Sequence, residues 1–176
     1  MPVRSGEEIQ AALGPFLDRW RGFAGTERAE AQTFLNQLFE VYGSERGAVG
    51  ARFEDFSSSA GFMDLHWPGV CIVEMKAPNK PVTSGREQVK RYWEESADEA
   101  ADIGAARWVV LCNFTSFEVW EPGRFPKSPR ATFELTELPQ RYEALMFLVC
   151  LGVLCFSVWL TAEFGMREHR RSRTRS

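Results

Sequence analysis

The sequence predicts an α/β fold: a mixed central β-sheet flanked by helices, followed by a C-terminal hydrophobic helix. Three observations point to it. Two amphipathic helical stretches lead the chain, extended segments then come in pairs around turns, and a third helical stretch separates two wholly apolar runs. Those runs, Val70-Cys71-Ile72-Val73 and Trp108-Val109-Val110-Leu111-Cys112, have the composition of strands buried on both faces. The 176 residues and a hydrophobic content of 44% suit one domain around one core.

From Glu7 to Phe23, residues Ile9, Leu13, Phe16, Leu17 and Trp20 recur at three- and four-residue steps, which places them on one helical face. Thr26 is positioned to cap a second helix with the stripe Phe34, Leu35, Leu38, Phe39 and Tyr42, and Gly43 ends it. Ala51 to Phe56 and Phe62 to Trp67 read as strands joined by the turn residues Ser57 to Gly61, a hairpin. Pro68-Gly69 breaks the chain before the central run at Val70. After a turn-rich segment, Arg86 to Ile103 forms the third helix, with Val89, Tyr92, Trp93, Ala97 and Ala100 inward. Trp108 to Cys112 and Phe117 to Trp120 pair across the Asn113 to Ser116 turn. A loop with Pro122, Pro126 and Pro129 precedes a short strand at Thr132 to Leu135 and a helix opening near Pro139.

Composition then shifts. Ala144 to Ala162 carries no charge and is followed by Arg167, Arg170, Arg171, Arg173 and Arg175. Such a run suits either a buried helix or a membrane anchor, and basic residues on both sides give no orientation. The expected organisation is a domain over 1–143, the hydrophobic helix over 144–162 and a basic tail over 163–176.

A net charge of -3 argues against nucleic-acid binding through overall basicity and leaves local patches as the route. The cysteines Cys71, Cys112, Cys150 and Cys155 form no CxxC pair, and His66 and His169 are the only histidines, so a structural zinc site is not expected. A charged amphipathic start without an apolar signal core predicts a cytoplasmic domain with reduced thiols, with inner-membrane tethering as the alternative if 144–162 spans.

The residues that carry chemistry lie around the central run. Asp64 stands near the end of one strand and Glu74 closes the next, so antiparallel pairing brings two carboxylates together. Lys76 follows Glu74 by two residues, and alternation turns both to one face. Phosphodiester hydrolysis asks for this set. Carboxylates, with the Met75 carbonyl, ligate a hard cation, and an ammonium orients the attacking water and stabilises developing phosphoryl charge. As a bare pattern Glu-x-Lys is common, and the alternative is edge charges on a solvated strand. Charges at the end of a strand buried on both faces need a partner such as a metal.

Asp64 followed by Glu74-Met75-Lys76 resembles the PD-(D/E)XK nuclease signature, and Gln88 with Tyr92 resembles the QxxxY element on the helix after the lysine strand in RecB-like members. The block from Gly61 to Val70 with Val73-Glu74-Met75-Lys76 resembles, more narrowly, the N-terminal nuclease region of MmeI-like, type IIL restriction-modification enzymes. The similarity extends over Phe34 to Gly43, Val110 to Phe114 and Leu135 to Pro139, and runs from about Pro15 to Leu148. It implies a PD-(D/E)XK restriction-endonuclease-like fold, Asp64, Glu74 and Lys76 as the catalytic set, Gln88 and Tyr92 as auxiliary residues, magnesium or manganese as the metal, and double-stranded DNA as the substrate. Glu27, or Glu30 one turn on, is matched to a glutamate that such nucleases carry on an early helix.

The chain departs from that family in having no Asn-Pro-Pro-Tyr motif and no glycine-rich loop for S-adenosylmethionine. The expectation is a truncated relative whose methyltransferase and specificity parts, if any, are encoded separately. Two other readings stay open: an inactive DNA-binding or interaction module, and a small membrane-tethered protein derived from this domain. Trp93, Trp108 and Trp120 are assigned to core packing rather than to base stacking.

Overall fold

The computed structural model describes residues 4–57, 61–96, 106–121 and 128–149. Helix α1, Gly6–Trp20, opens on a capping box: Ser5 Oγ accepts from Glu8 N–H, and the Glu8 carboxylate accepts from Ser5 N–H. Its expected stripe is buried throughout, from Ile9 to Trp20. Helix α2, Glu27–Val41, starts after Thr26 as expected, although the Thr26 side chain makes no capping bond. Phe34 holds these helices together, lying against Phe16, Trp20, Phe114 and Phe117.

Six strands follow: β1 Arg52–Ser57, β2 Gly61–Trp67, β3 Cys71–Met75, β4 Trp108–Cys112, β5 Ser116–Trp120 and β6 Ala131–Glu134. They lie side by side in chain order, antiparallel except for β3 and β4. Parallel neighbours need a crossover, and helix α3, Arg86–Ser96, lies within it after a 3₁₀ turn at Val82–Gly85. Val89 and Tyr92 are buried and Trp93 half-buried, as their spacing predicts. The rest of that expected helix, with Ala97 and Ala100, lies outside the described residues. The break before β3 is a tight turn closed by Val70 N–H to the Trp67 carbonyl, with Pro68 second and Gly69 third at φ 73. That positive φ is why the third position is glycine.

Alternation divides the sheet between two cores. Leu65, Val73, Met75, Val110, Cys112 and Val119 join α1 and α2 on one face. Ile72, Val109, Leu111 and Trp120 join Val82, Val89 and Tyr92 on the other. Helices thus cover both faces, as the apolar central runs require.

Past β6 the backbone makes short helical turns, Leu135–Glu137, Leu138–Arg141 and Tyr142–Leu148, instead of one helix from Pro139. Of the hydrophobic stretch expected over 144–162, the part to Val149 is described, and Leu145 and Leu148 are buried in the α1/α2 core. Tyr42 Oη donates to the Tyr142 carbonyl, Ser44 Oγ to the Leu148 carbonyl, and Phe147 stacks on Trp108 at 5.0 Å. Residues 150–162 and the tail 163–176 lie outside the described residues. Among the described residues no helix is long and apolar enough to cross a membrane.

Candidate active site

The site begins with a fault in the β1–β2 ribbon. Residues two apart on a regular strand share a face, yet Met63 joins the α3-side core while Leu65 joins the opposite one. The strand therefore turns over at Asp64. Across the ribbon the register passes from Phe53–Leu65 to Asp55–Met63, and the residue skipped, Glu54, has φ 52, in the left-handed region that costs a non-glycine residue strain. On its other side, β2 pairs with β3 only as far as Leu65–Val73. Beyond that rung the strands diverge and Asp64 fills the gap. Its Oδ2 accepts from the Met75 backbone N–H at 2.7 Å, a donor that a continued ladder would direct to β2. N–H and C=O of one strand residue point the same way, so the Met75 carbonyl lies on this edge too.

Glu74 and Lys76 share the face of β3 that α3 covers, as two-residue alternation requires. Lys76 Nζ lies 2.5 Å from Glu74 Oε1, with the glutamate side chain 3% exposed and the lysine 17%. The backbone is fixed from the far side, where Lys76 N–H donates to the Cys112 carbonyl. Sequence reasoning missed Gly85. It is buried at the 3₁₀ turn, and a Cβ there would stand 2.8 Å from Leu111 Cδ2 and 3.3 Å from both Glu74 Cγ and Lys76 Cε. Glycine lets the chain pass this close over the two charged residues.

From α3, Gln88 and Tyr92 reach back one turn apart. Lys76 Nζ donates to Gln88 Oε1 at 3.0 Å, Gln88 Nε2 donates to Tyr92 Oη, and Tyr92 Oη donates to the Phe62 carbonyl of β2, the last two at 2.5 Å. The donors all point one way, which fixes the Gln88 amide with its oxygen toward the lysine. Burial pushes the Tyr92 phenol up to about 12, and the negative charges of Glu74 and Asp64 add to the rise, so it stays a neutral donor.

A second feature that the sequence reading missed holds the start of α3. Glu118 on β5, 2% exposed, takes two bonds from Arg86, 2.9 Å from Nε and 2.6 Å from Nη2, and a third from Trp120 Nε1 at 3.2 Å. The guanidinium lies over the Trp120 ring, and hydrogen bonding to Glu118 raises the Arg86 pKa. The available signal was a lone acid inside an apolar alternating strand, which has to be paired if buried.

The structure thus brings Asp64, Glu74, Lys76, Met75, Gln88 and Tyr92 to one place. The backbone of Glu27 opens α2, its side chain lies outside the described residues, and Glu30 is half-buried. Cys71 and Cys112 are free and fully buried, and burial pushes both thiols up from their ordinary values. Among the described residues no group of three or more His, Cys, Asp or Glu side chains gathers as a metal site. Two carboxylates and a carbonyl, all hard oxygen donors, fit magnesium, which keeps several waters and binds through one or two carboxylates plus substrate phosphate.

No curated protein and no solved structure matches the chain. A family model, the N-terminal domain of MmeI, matches residues 7–153 and takes in every residue of the site just described. The match spans both leading helices, the whole sheet and the turns that close the core, so the chain belongs to the MmeI N-terminal domain family, a domain of type IIL restriction enzymes.

Proposed function

We propose that this domain is a magnesium-dependent DNA endonuclease of the PD-(D/E)XK kind, hydrolysing phosphodiester bonds of double-stranded DNA. The observation that carries the reading is the joining of Lys76 to Glu74 on one face of β3, beside Asp64 where β2 and β3 part. Hydrolysis adds one water across a P–O bond: its oxygen attacks phosphorus while the bridging oxygen leaves. The barrier is high because charge builds on the phosphoryl oxygens and because water is a poor nucleophile at neutral pH.

Asp64, Glu74 and the Met75 carbonyl would hold magnesium or manganese, which when bound neutralises phosphoryl charge and acidifies water. The chain's own residues do the rest. The Lys76 ammonium offers N–H donors to the attacking water and to the developing oxyanion, in a place where it also pairs with Glu74. Gln88 aims that ammonium by accepting a hydrogen bond from it, and Tyr92 fixes Gln88 by accepting one from its amide. Tyr92 also ties the assembly to β2 through the Phe62 carbonyl, so Asp64 and Lys76 are held on one frame.

The test is plasmid nicking by the purified full chain in magnesium or manganese, compared with Lys76→Ala prepared identically. Activity that the substitution removes supports the reading. Equal nicking by both proteins means a contaminant, and sinks it.

A further inference from the structure

Two exposed side chains flank the candidate site, and the fold grips each of them by its backbone. Phe62 is 61% exposed, the one large apolar side chain so exposed among the described residues. Its carbonyl is held by Tyr92 Oη. Because β2 runs against β3, Phe62 lies past Asp64 in the direction in which β3 ends. Lys80 lies past Lys76 in that same direction. It closes a turn in which its N–H donates to the Ala77 carbonyl at 2.9 Å, with Pro78 inside the turn and Pro81 after it. The Lys80 carbonyl accepts from Asn113 Nδ2 at 2.8 Å, and Asn113, 5% exposed, is itself fixed by the N–H groups of Thr115 and Ser116.

Singly exposed apolar residues are ordinary on protein surfaces. Here position sets Phe62 apart: Phe62 and Lys80 both stand at the end of the sheet where Asp64 and Lys76 lie, each with its backbone carbonyl held by a side-chain hydrogen bond. A chain with net charge -3 repels DNA overall and needs local contacts to hold it.

We infer that Phe62 and Lys80 are the DNA-contacting residues beside the site: Lys80 pairs with a backbone phosphate and Phe62 packs its ring against the neighbouring sugar and base edge. The inference rests on the nuclease reading for its substrate. Phosphate pairing contributes through counterion release and so depends on salt, whereas apolar contact does not.

The two contributions therefore separate in one experiment. Anisotropy of a short labelled DNA duplex is followed against the full chain at several salt concentrations, with calcium replacing magnesium so that binding is read without cutting. Lys80→Ala is expected to weaken binding and to lower the slope of log affinity against log salt by about 1. Phe62→Ala is expected to weaken binding at least about fivefold at every salt concentration with the slope unchanged, from the lost burial of part of a phenyl ring. Phe62→Trp restores it. Thermal melts should match the wild type, since both side chains are exposed. Variants that bind with wild-type affinity and slope overturn the inference, and a wild type that does not bind duplex overturns it together with the nuclease reading. A wild type that binds but does not cut plasmid in magnesium refutes that reading alone and leaves the contacts standing.

Discussion

Lys76 has two tasks at once, and its two partners show how to separate them. The ammonium compensates Glu74, a carboxylate that β3 buries, and it is aimed by Gln88. Lys76→Met removes the compensation, so it is expected to lower the melting temperature as well as to reduce plasmid cleavage by a factor of about 100 or more. Adding Glu74→Gln removes the stranded charge. The double variant should regain melting temperature while cleavage stays lost, and a double variant that regained cleavage would remove the chemical role proposed for Lys76. Gly85 makes the complementary case, in which a residue without a side chain matters. Gly85→Ala pushes a methyl against Leu111, Glu74 and Lys76, and the expected cost is about 1–3 kcal/mol, read as a lower denaturant midpoint, with cleavage reduced as well. That Glu74 and Lys76 share a face was legible from spacing, because two-residue alternation is a local rule; that they belong to a site rested on the buried strand they close and on the resemblance. Gly85 was read only as part of a turn, since its meaning depends on a strand that passes beneath it.

At the scale of elements, α3 determines where the lysine points, and it is fixed at two places. Arg86 and Glu118 hold its first turn to β5; Tyr92 holds its second to β2. Tyr92→Phe keeps the buried ring and deletes the hydroxyl, leaving the Gln88 amide and the Phe62 carbonyl each short of a partner. The expected loss of stability is about 1–3 kcal/mol. Because Tyr92 acts through Gln88 on Lys76, kcat should fall while KM for DNA stays close to wild type; a change in KM alone would mean that Tyr92 does not position the lysine. The Gln88 and Tyr92 pair was visible in the sequence only through its resemblance to the QxxxY element, since the helical stripe itself picked out Val89, Tyr92 and Trp93. Glu118 was hidden, because one acid in an alternating strand looks like its solvent side until the covering helix is known. The turning-over of β2 at Asp64 was hidden for another reason: it needs the left-handed backbone at Glu54, which no residue type there announces.

At the scale of the whole molecule, the layers followed from composition, since two apolar runs separated by a helix admit only a sheet covered on both faces. The C-terminal turns did not, because a charge-free stretch specifies burial and not backbone form; Leu145 and Leu148 are buried, yet the backbone runs in short 3₁₀ turns with a kink at Leu145. The same two-sided burial sets how the protein responds to alkali. Cys71, Cys112, Tyr42 and Tyr92 are all held in their neutral forms by desolvation, which raises each pKa in the folded state above its ordinary value. Unfolded thiols lose their protons near 9 and unfolded phenols near 10, before the folded groups do. The unfolded state thus binds fewer protons at high pH, and stability falls as pH rises. Stability from these groups is fully present below pH 9, declines as the unfolded thiols ionise, and declines more steeply from pH 10 toward 12, where Tyr92 itself titrates. The urea midpoint should therefore change little from these four groups at neutral pH and drop above pH 9. Replacing Cys71 and Cys112 together with alanine lowers the midpoint at every pH through lost packing, but it should also shrink the part of the decline that begins at pH 9 and leave the part that begins at pH 10. Should the double variant keep the wild-type profile between pH 9 and 10, the decline there belongs to other groups and the buried thiols are not its source.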